Sequence, residues 1–224
     1  RNVWLPDLQI MTAREPFVAM KGGNNGESHN HNDVGSFIVY PDNEPLLIDP
    51  GVGAYTSKTF SKQRYEIWTM QSDYHNLPRI NGVSQRDGKQ YAAQVISHKP
   101  GQLTLDISKA YPKEAKVNYW RRTVKTGNGK RMEVTEDYSL DTYEAPTQLM
   151  LMTLTAPQID NNGTIRLGDY RIEYDAKQLT SQSEDISTLL DPVLQQMWGK
   201  HMYRIILTVK DQKLKGKIKY IITK

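Results

Sequence analysis

The feature that most constrains this chain is an alternation of apolar and polar residues with a period of two, repeated in short runs. Leu103, Leu105 and Ile107 alternate with Thr104 and Asp106, and Met132, Val134 and Tyr138 alternate similarly between Arg131 and Leu140. Tyr203, Ile205, Leu207 and Val209 share a face near the end, followed by Ile218, Tyr220 and Ile222 with Lys217 and Lys219 pointing away. Successive strand side chains leave opposite faces, so a period of two marks half-buried β-strand. Turn formers separate the runs: Pro41-Asp42-Asn43, Asn81-Gly82, Gly127-Asn128-Gly129 and Asn161-Asn162-Gly163. Short strands spaced by such turns predict an all-β fold, a large antiparallel β-sandwich rather than a βαβ array. Residues 1–224 read as one domain, with no internal repeat, low-complexity tract or linker.

Helical pattern is scarce. Ser57 to Glu66 is a candidate short helix, and Asp185 to Met197 another that Pro192 interrupts. Leu8 to Thr12 reads as a strand. Lys210, Lys213, Lys215, Lys217, Lys219 and Lys224 read as the guard of an edge strand against aggregation. An anion-binding strip is the sharper alternative. The opening Arg1-Asn2-Val3-Trp4-Leu5-Pro6 carries neither an initiator methionine nor an export signal, so a piece of a longer protein is expected. No apolar run approaches the ~18 residues of a membrane span.

Composition excludes several classes. The chain has no cysteine, which removes disulfides, thiolate metal sites and a Cys nucleophile together. Its 29 Lys and Arg against 25 Asp and Glu leave +4, far from a dedicated nucleic-acid binder but compatible with a polyanionic substrate. Thirteen Tyr against three Phe suit half-exposed strands and sugar-facing surfaces, since the ring is apolar and its tip polar.

The residues that carry chemistry lie early. His29 and His31 sit in Ser28-His29-Asn30-His31-Asn32-Asp33, and in an extended strand both imidazoles would project to one side. Pro45-Leu46-Leu47-Ile48-Asp49-Pro50-Gly51 is an apolar run ending in a carboxylate. It follows Ser36 to Tyr40 through a turn, so a hairpin would return Asp49 toward the His29–His31 end. Tyr74-His75-Asn76-Leu77-Pro78 supplies a third imidazole. Two imidazoles and a carboxylate make a divalent-metal set with zinc the leading candidate, and spacing alone leaves open which two of three histidines bind. His98, before a turn, and His201, opening a strand, have no carboxylate nearby in sequence and are assigned no role.

The run Gly26-Glu27-Ser28-His29-Asn30-His31-Asn32-Asp33-Val34-Gly35-Ser36-Phe37 resembles the HxHxDxGSF signature of heparinase II/III-like proteins. Further elements match in order: Leu47-Ile48-Asp49-Pro50-Gly51 with Tyr55, His75-Asn76, Ile80-Asn81-Gly82 and Gln85, Leu105-Asp106-Ile107 with Ala110-Tyr111, and Trp120-Arg121-Arg122. The resemblance covers most of the chain and weakens after about Leu154. It implies the β-sandwich that follows an N-terminal α/α toroid in a polysaccharide lyase, with the substrate cleft between the two parts. It also implies that His29 faces substrate, while His31, Asp49 and His75 hold a structural zinc. The family's catalytic Tyr and its carboxylate-neutralising Asn or His come from the toroid and have no counterpart here, which implies an inactive isolated chain.

The implied reaction is β-elimination at a uronic acid: a base takes the C5 proton, the carboxylate is neutralised, and an acid protonates the glycosidic oxygen leaving C4. Imidazole and phenol suit such proton transfers; His29 is either the base or a group that positions the uronate. The implied setting is the periplasm or exterior of a bacterium, and the implied partners are an acidic polysaccharide and the toroid.

Two other classes compete. A cupin-like metal-dependent oxygenase also uses HxH, but expects a Glu shortly after it where this chain has Asp33-Val34-Gly35-Ser36-Phe37. A non-catalytic carbohydrate-binding sandwich would use Trp68, Tyr55 and Tyr74 as stacking platforms. A paired-carboxylate hydrolase has no identifiable pair among the 25 acids, and nucleic-acid binding has no motif.

Overall fold

A computed structural model describes residues 2–14 and 17–224; Arg1 of the opening run lies outside them. In chain order the strands begin with β1 (Val3–Leu5), β2 (Ile10–Ala13), β3 (Phe17–Lys21), β4 (Asn24–Asn25) and β5 (Phe37–Tyr40). Then come β6 (Pro78–Arg79), β7 (Gly88–Ala92), β8 (Gln94–Lys99), β9 (Gln102–Asp106), β10 (Val117–Thr126) and β11 (Met132–Leu140). The remainder are β12 (Gln148–Thr153), β13 (Gln158–Ile159), β14 (Thr164–Leu167), β15 (Tyr170–Tyr174), β16 (Leu179–Asp185), β17 (Tyr203–Val209) and β18 (Lys215–Thr223), with helix α1 (Pro192–Trp198) before β17.

The molecule is all-β, a sandwich of antiparallel sheets. An eight-stranded sheet runs β13-β14-β15-β18-β11-β10-β9-β8. Two four-stranded sheets, β16-β17-β12-β6 and β1-β2-β3-β5, contribute to the same apolar core. Period-two patterning produces that core directly. Leu103, Leu105, Val134, Tyr138, Ile218 and Tyr220 face Leu149, Leu151, Ile205 and Leu207, with Met20, Phe37 and Val39 beside them. Strand β12 is covered on both faces, so Leu149-Met150-Leu151-Met152 is a continuous buried run. Its second face, with Ile48, Leu194 and Met202, forms a smaller core under α1.

One polar network crosses the main core. Arg122 and Glu136 are wholly buried on neighbouring strands β10 and β11. Arg122 Nε donates to Glu136 Oε1 at 2.7 Å and Trp120 Nε1 donates to Glu136 Oε2 at 2.5 Å. Arg122 Nη1 donates to the carbonyls of Gly35 (2.9 Å) and Asn76 (2.6 Å). A buried ion pair is tolerable only when its remaining donors and acceptors are also engaged, and here the spare donor capacity ties the large sheet to the segments bearing the histidines.

Several expectations need correction. Strand β18, with its lysines, lies in the interior of the eight-stranded sheet, between β11 and β15, rather than at an edge. Pro192 begins α1 instead of interrupting a helix: it takes the first helical position, where its missing N–H costs nothing, and Asp191 Oδ1 accepts from Leu194 N at 2.9 Å. Ser57 to Glu66 forms turns closing in a 3₁₀ segment, Arg64–Glu66. The Thr56, Thr59 and Ser61 hydroxyls accept backbone N–H groups there and compete with helix formation. Leu8 is exposed in a turn, so the strand begins at Ile10. The expected hairpin after Tyr40 reduces to one antiparallel bridge, Val39 with Leu47, beyond which Ile48 N donates to Met152 O at 3.0 Å.

Candidate metal centre

Three chain segments meet at one end of the sandwich. The first, Gly26 to Asp33, is irregular. His29 takes a left-handed conformation (φ +55°), which breaks the strand alternation, so His29 and His31 do not share a face as an extended strand would require. His31 is turned inward and held by its neighbours: Asn32 N donates to Met70 O at 2.9 Å, and Arg64 Nε donates to Asn30 O at 3.1 Å. The Val39–Leu47 bridge and the Ile48–Met152 hydrogen bond deliver the second segment, ending in Asp49. The Asp49 Oδ1 atom accepts from Gly51 N at 2.9 Å, and Gly51 has φ +77°, a turn that suits glycine.

The third segment descends through short 3₁₀ turns, Trp68–Met70 and Ser72–Tyr74, to His75 and Asn76. Asn76 is buried and fully used. Its Nδ2 donates to Phe37 O (2.7 Å) and Ile48 O (3.2 Å), and its Oδ1 accepts from Met152 N (2.7 Å). Gln85 grips the first segment in the same fashion, donating to Val34 O at 2.7 Å and accepting from Val34 N at 3.1 Å.

These supports bring His31, Asp49 and His75 together, with one ligand atom from each within 4.8 Å of the others. The imidazoles meet edge to face, 5.5 Å between ring centres. His31 Nδ1 and His75 Nε2 both lie 2.8 Å from the Thr69 carbonyl oxygen. A carbonyl only accepts, so both nitrogens carry protons. That leaves Nε2 of His31 free and turns Nδ1 of His75 toward Asp49 Oδ2, 3.1 Å away. One backbone carbonyl thereby selects the tautomer of both rings, an arrangement typical of groups behind metal ligands.

The electrostatics follow from burial and this contact. Burial, and then the neighbouring His75, lower the His31 pKa and favour its neutral, ligating form. Burial would lower His75 too, but the charge and hydrogen bond of Asp49 outweigh it and raise its pKa to about 9. Burial would raise Asp49, yet His75 holds it well below the usual carboxylate range. In a metal-free centre a proton on His75 Nδ1 bridges imidazole and carboxylate. Two nitrogens and one oxygen, with that proton replaceable, fit a zinc-type ion.

His29 stands outside the trio, exposed, with its ring 6.2 Å edge-to-face from Phe60, which in turn lies 5.5 Å from Tyr55. Tyr55 and Phe60 are each 70% exposed. Trp68 and Tyr74 pack against each other over the smaller core, 5.2 Å apart, so they are partly buried supports rather than open platforms. His98 stacks on Trp4 at 4.4 Å, and His201 is exposed. Thr69 and Phe60 escape sequence reasoning. A carbonyl ligand-orienter has no side-chain signature, and an isolated Phe in a polar stretch reads as ordinary surface.

Comparison with known proteins agrees with this architecture. Residues 7–190 match the family described as heparinase II/III-like, C-terminal. The fold superposes on a heparan sulfate lyase HepC mutant from Pedobacter heparinus with TM-score 0.76 at 16% identity, over 99% of this chain and 36% of that one. It superposes on a heparinase III with TM-score 0.73 at 13% identity, over 99% of this chain and 35% of the other. The chain therefore spans about a third of the length of these solved proteins. No curated protein matches it by sequence. With a family match over most of its length, an all-β sandwich of the same fold, and the HxH, Asp and His-Asn segments gathered at one end, the chain belongs to the heparinase II/III-like C-terminal family.

Proposed function

We propose that this chain is the β-sandwich part of a longer polysaccharide lyase that cleaves uronic-acid-containing polymer by β-elimination. The observation that carries this reading is the gathering of His31, Asp49 and His75 behind the exposed His29. In it, His31, Asp49 and His75 hold a structural zinc, which when bound locks three irregular segments together. His29, held on its left-handed turn beside Phe60, faces the polymer and either removes the C5 proton or positions the uronate. An imidazole there suits proton transfer near neutral pH. An N-terminal toroid completes the cleft, and the periplasm or extracellular space of a bacterium is where such a polymer is met. Family membership leaves the oxygenase alternative without support. The exposed Tyr55 and Phe60 favour, as the second reading, a sandwich that binds acidic glycan without cutting it.

Elemental analysis of zinc-replete protein tests the centre. About one zinc per chain is expected in the wild type and none in His31→Ala, with a lower melting temperature; equal metal content and melting temperature in both would remove the assignment. In the full-length protein, His29→Ala is expected to keep the zinc and lose formation of unsaturated product. Retained turnover takes His29 out of the mechanism, and saturable glycan binding without product from the wild type moves the binding-module reading to the front.

A further inference from the structure

The lysine-rich segment near the C-terminus lost its simplest explanation when β18 proved to be an interior strand, since an interior strand needs no guard against edge pairing. Five lysines instead line one cleft of about 240 Å³, where the turn before β16, the end of β17 and the start of β18 converge. They are Lys177, Lys210, Lys213, Lys215 and Lys217, and one carboxylate, Asp211, shares the lining. Among the described residues none of the five forms an ion pair, whereas Lys219, farther along β18, reaches Glu133 at 3.7 Å. Asp137 lies opposite Lys217 in register without pairing to it. All five are exposed.

Cations left unpaired around one concavity repel each other and focus a positive potential, which a bound anion would relieve. Lysine is a compact point charge, suited to single sulfate or carboxylate oxygens rather than to planar bidentate pairing. Tyr138 is the one aromatic in the lining, and it is buried with its ring stacked on Trp120, leaving no exposed platform for nucleic-acid bases. The cleft is also remote from the metal centre. Strand β17 runs from Arg204, whose Nη1 donates to Asp73 O close to His75, to Val209 in the cleft wall. Those five steps span roughly 17 Å at about 3.3 Å per residue.

We infer that the five-lysine cleft is a second binding site, separate from the metal centre, for the anionic groups of an acidic glycan chain. The glycan as ligand rests on the lyase reading; the anion site itself rests on the cleft. The test is fluorescence anisotropy on the 224-residue chain with three labelled probes: heparin, an unsulfated polyuronate and single-stranded DNA. The triple variant Lys213→Gln, Lys215→Gln, Lys217→Gln is expected to bind heparin about tenfold more weakly at about 0.1 M salt, with a shallower salt dependence. A control triple, Lys89→Gln, Lys99→Gln, Lys200→Gln, removes the same charge elsewhere and is expected to stay within about twofold of wild type. Should the first triple melt early, Lys177→Gln with Lys210→Gln, outside β18, serves in its place.

Equal losses in both triples would reduce binding to net charge and overturn the inference. Tighter binding of DNA than of either glycan, lost in the cleft triple, would assign the cleft to nucleic acid and overturn the glycan ligand. Turnover reads separately: cleft-dependent binding in a protein whose full-length form leaves uronic polymers uncut keeps this site and removes the lyase reading.

Discussion

At the proposed metal centre the Thr69 carbonyl accepts from one nitrogen of each imidazole, and the Asp49 contact raises the pH at which His75 Nδ1 gives up its proton. The two consequences have opposite signs. In metal-free protein, His75 is raised to about 9 from its ordinary 6.5, so its contribution is complete below about pH 6.5 and fades as pH rises through about 9. The depressed Asp49 contributes above the ordinary carboxylate pKa and fails only in strong acid. Zinc must displace the bridging proton, so its affinity is expected to rise about tenfold per pH unit between 6.5 and 8.5 and level off near 9. Competition titrations with a chelator at several pH values measure this; a flat profile across that range would show that no proton leaves. Spacing alone left open which two of the three histidines belong with Asp49, and the grouping of His31, Asp49 and His75 was legible only through the family resemblance. The left-handed turn at His29 was not, because nothing in His-Asn-His distinguishes a strand from a turn until Asn32 and Arg64 find their distant partners.

Strand β10 supplies the element-scale support. Its core face carries Trp120, Arg122 and Val124, and Arg122 reaches across the sandwich to the backbone on which His31 and His75 depend. Arg122→Met would strand Glu136 in the core as an unpaired charge, at a cost of about 3–5 kcal/mol. Adding Glu136→Gln, which keeps an acceptor for Trp120 Nε1, is expected to recover much of that loss in denaturant melts. If the double variant is no more stable than the single, the stranded charge is not the source. Zinc affinity of the double variant should remain below wild type, since the carbonyls of Gly35 and Asn76 still lack their donor. Trp120-Arg121-Arg122 stood out in the sequence only as part of the family resemblance: the partner of the buried arginine, Glu136, lies fourteen positions away, and period-two patterning carries no information about register. The same gap explains Pro192: whether a proline breaks or begins a helix depends on Asp191 capping it.

For the whole molecule, fold class and turn positions were readable because alternation and turn chemistry are local. Sheet order was not. It is decided by which edges remain open when distant strands arrive, and the C-terminal strand illustrates this. Strand β18 joins β15 to β11, so without it the eight-stranded sheet falls into two unconnected pieces. The family match ends at residue 190, before β17 and β18, although both are interior strands. A chain ending at Lys213 is therefore expected to show no cooperative melting transition, against a single transition for the full sequence; a cooperative melt in the shortened chain would mean that β11 and β15 can close without it. Timing follows as well. Strand β18 is made after the other strands described here, so β11 and β15 emerge before the strand that pairs with both of them, and their facing edges wait unpaired until it follows. Whatever shields those two edges in the meantime governs how much of the newly made protein reaches its working form.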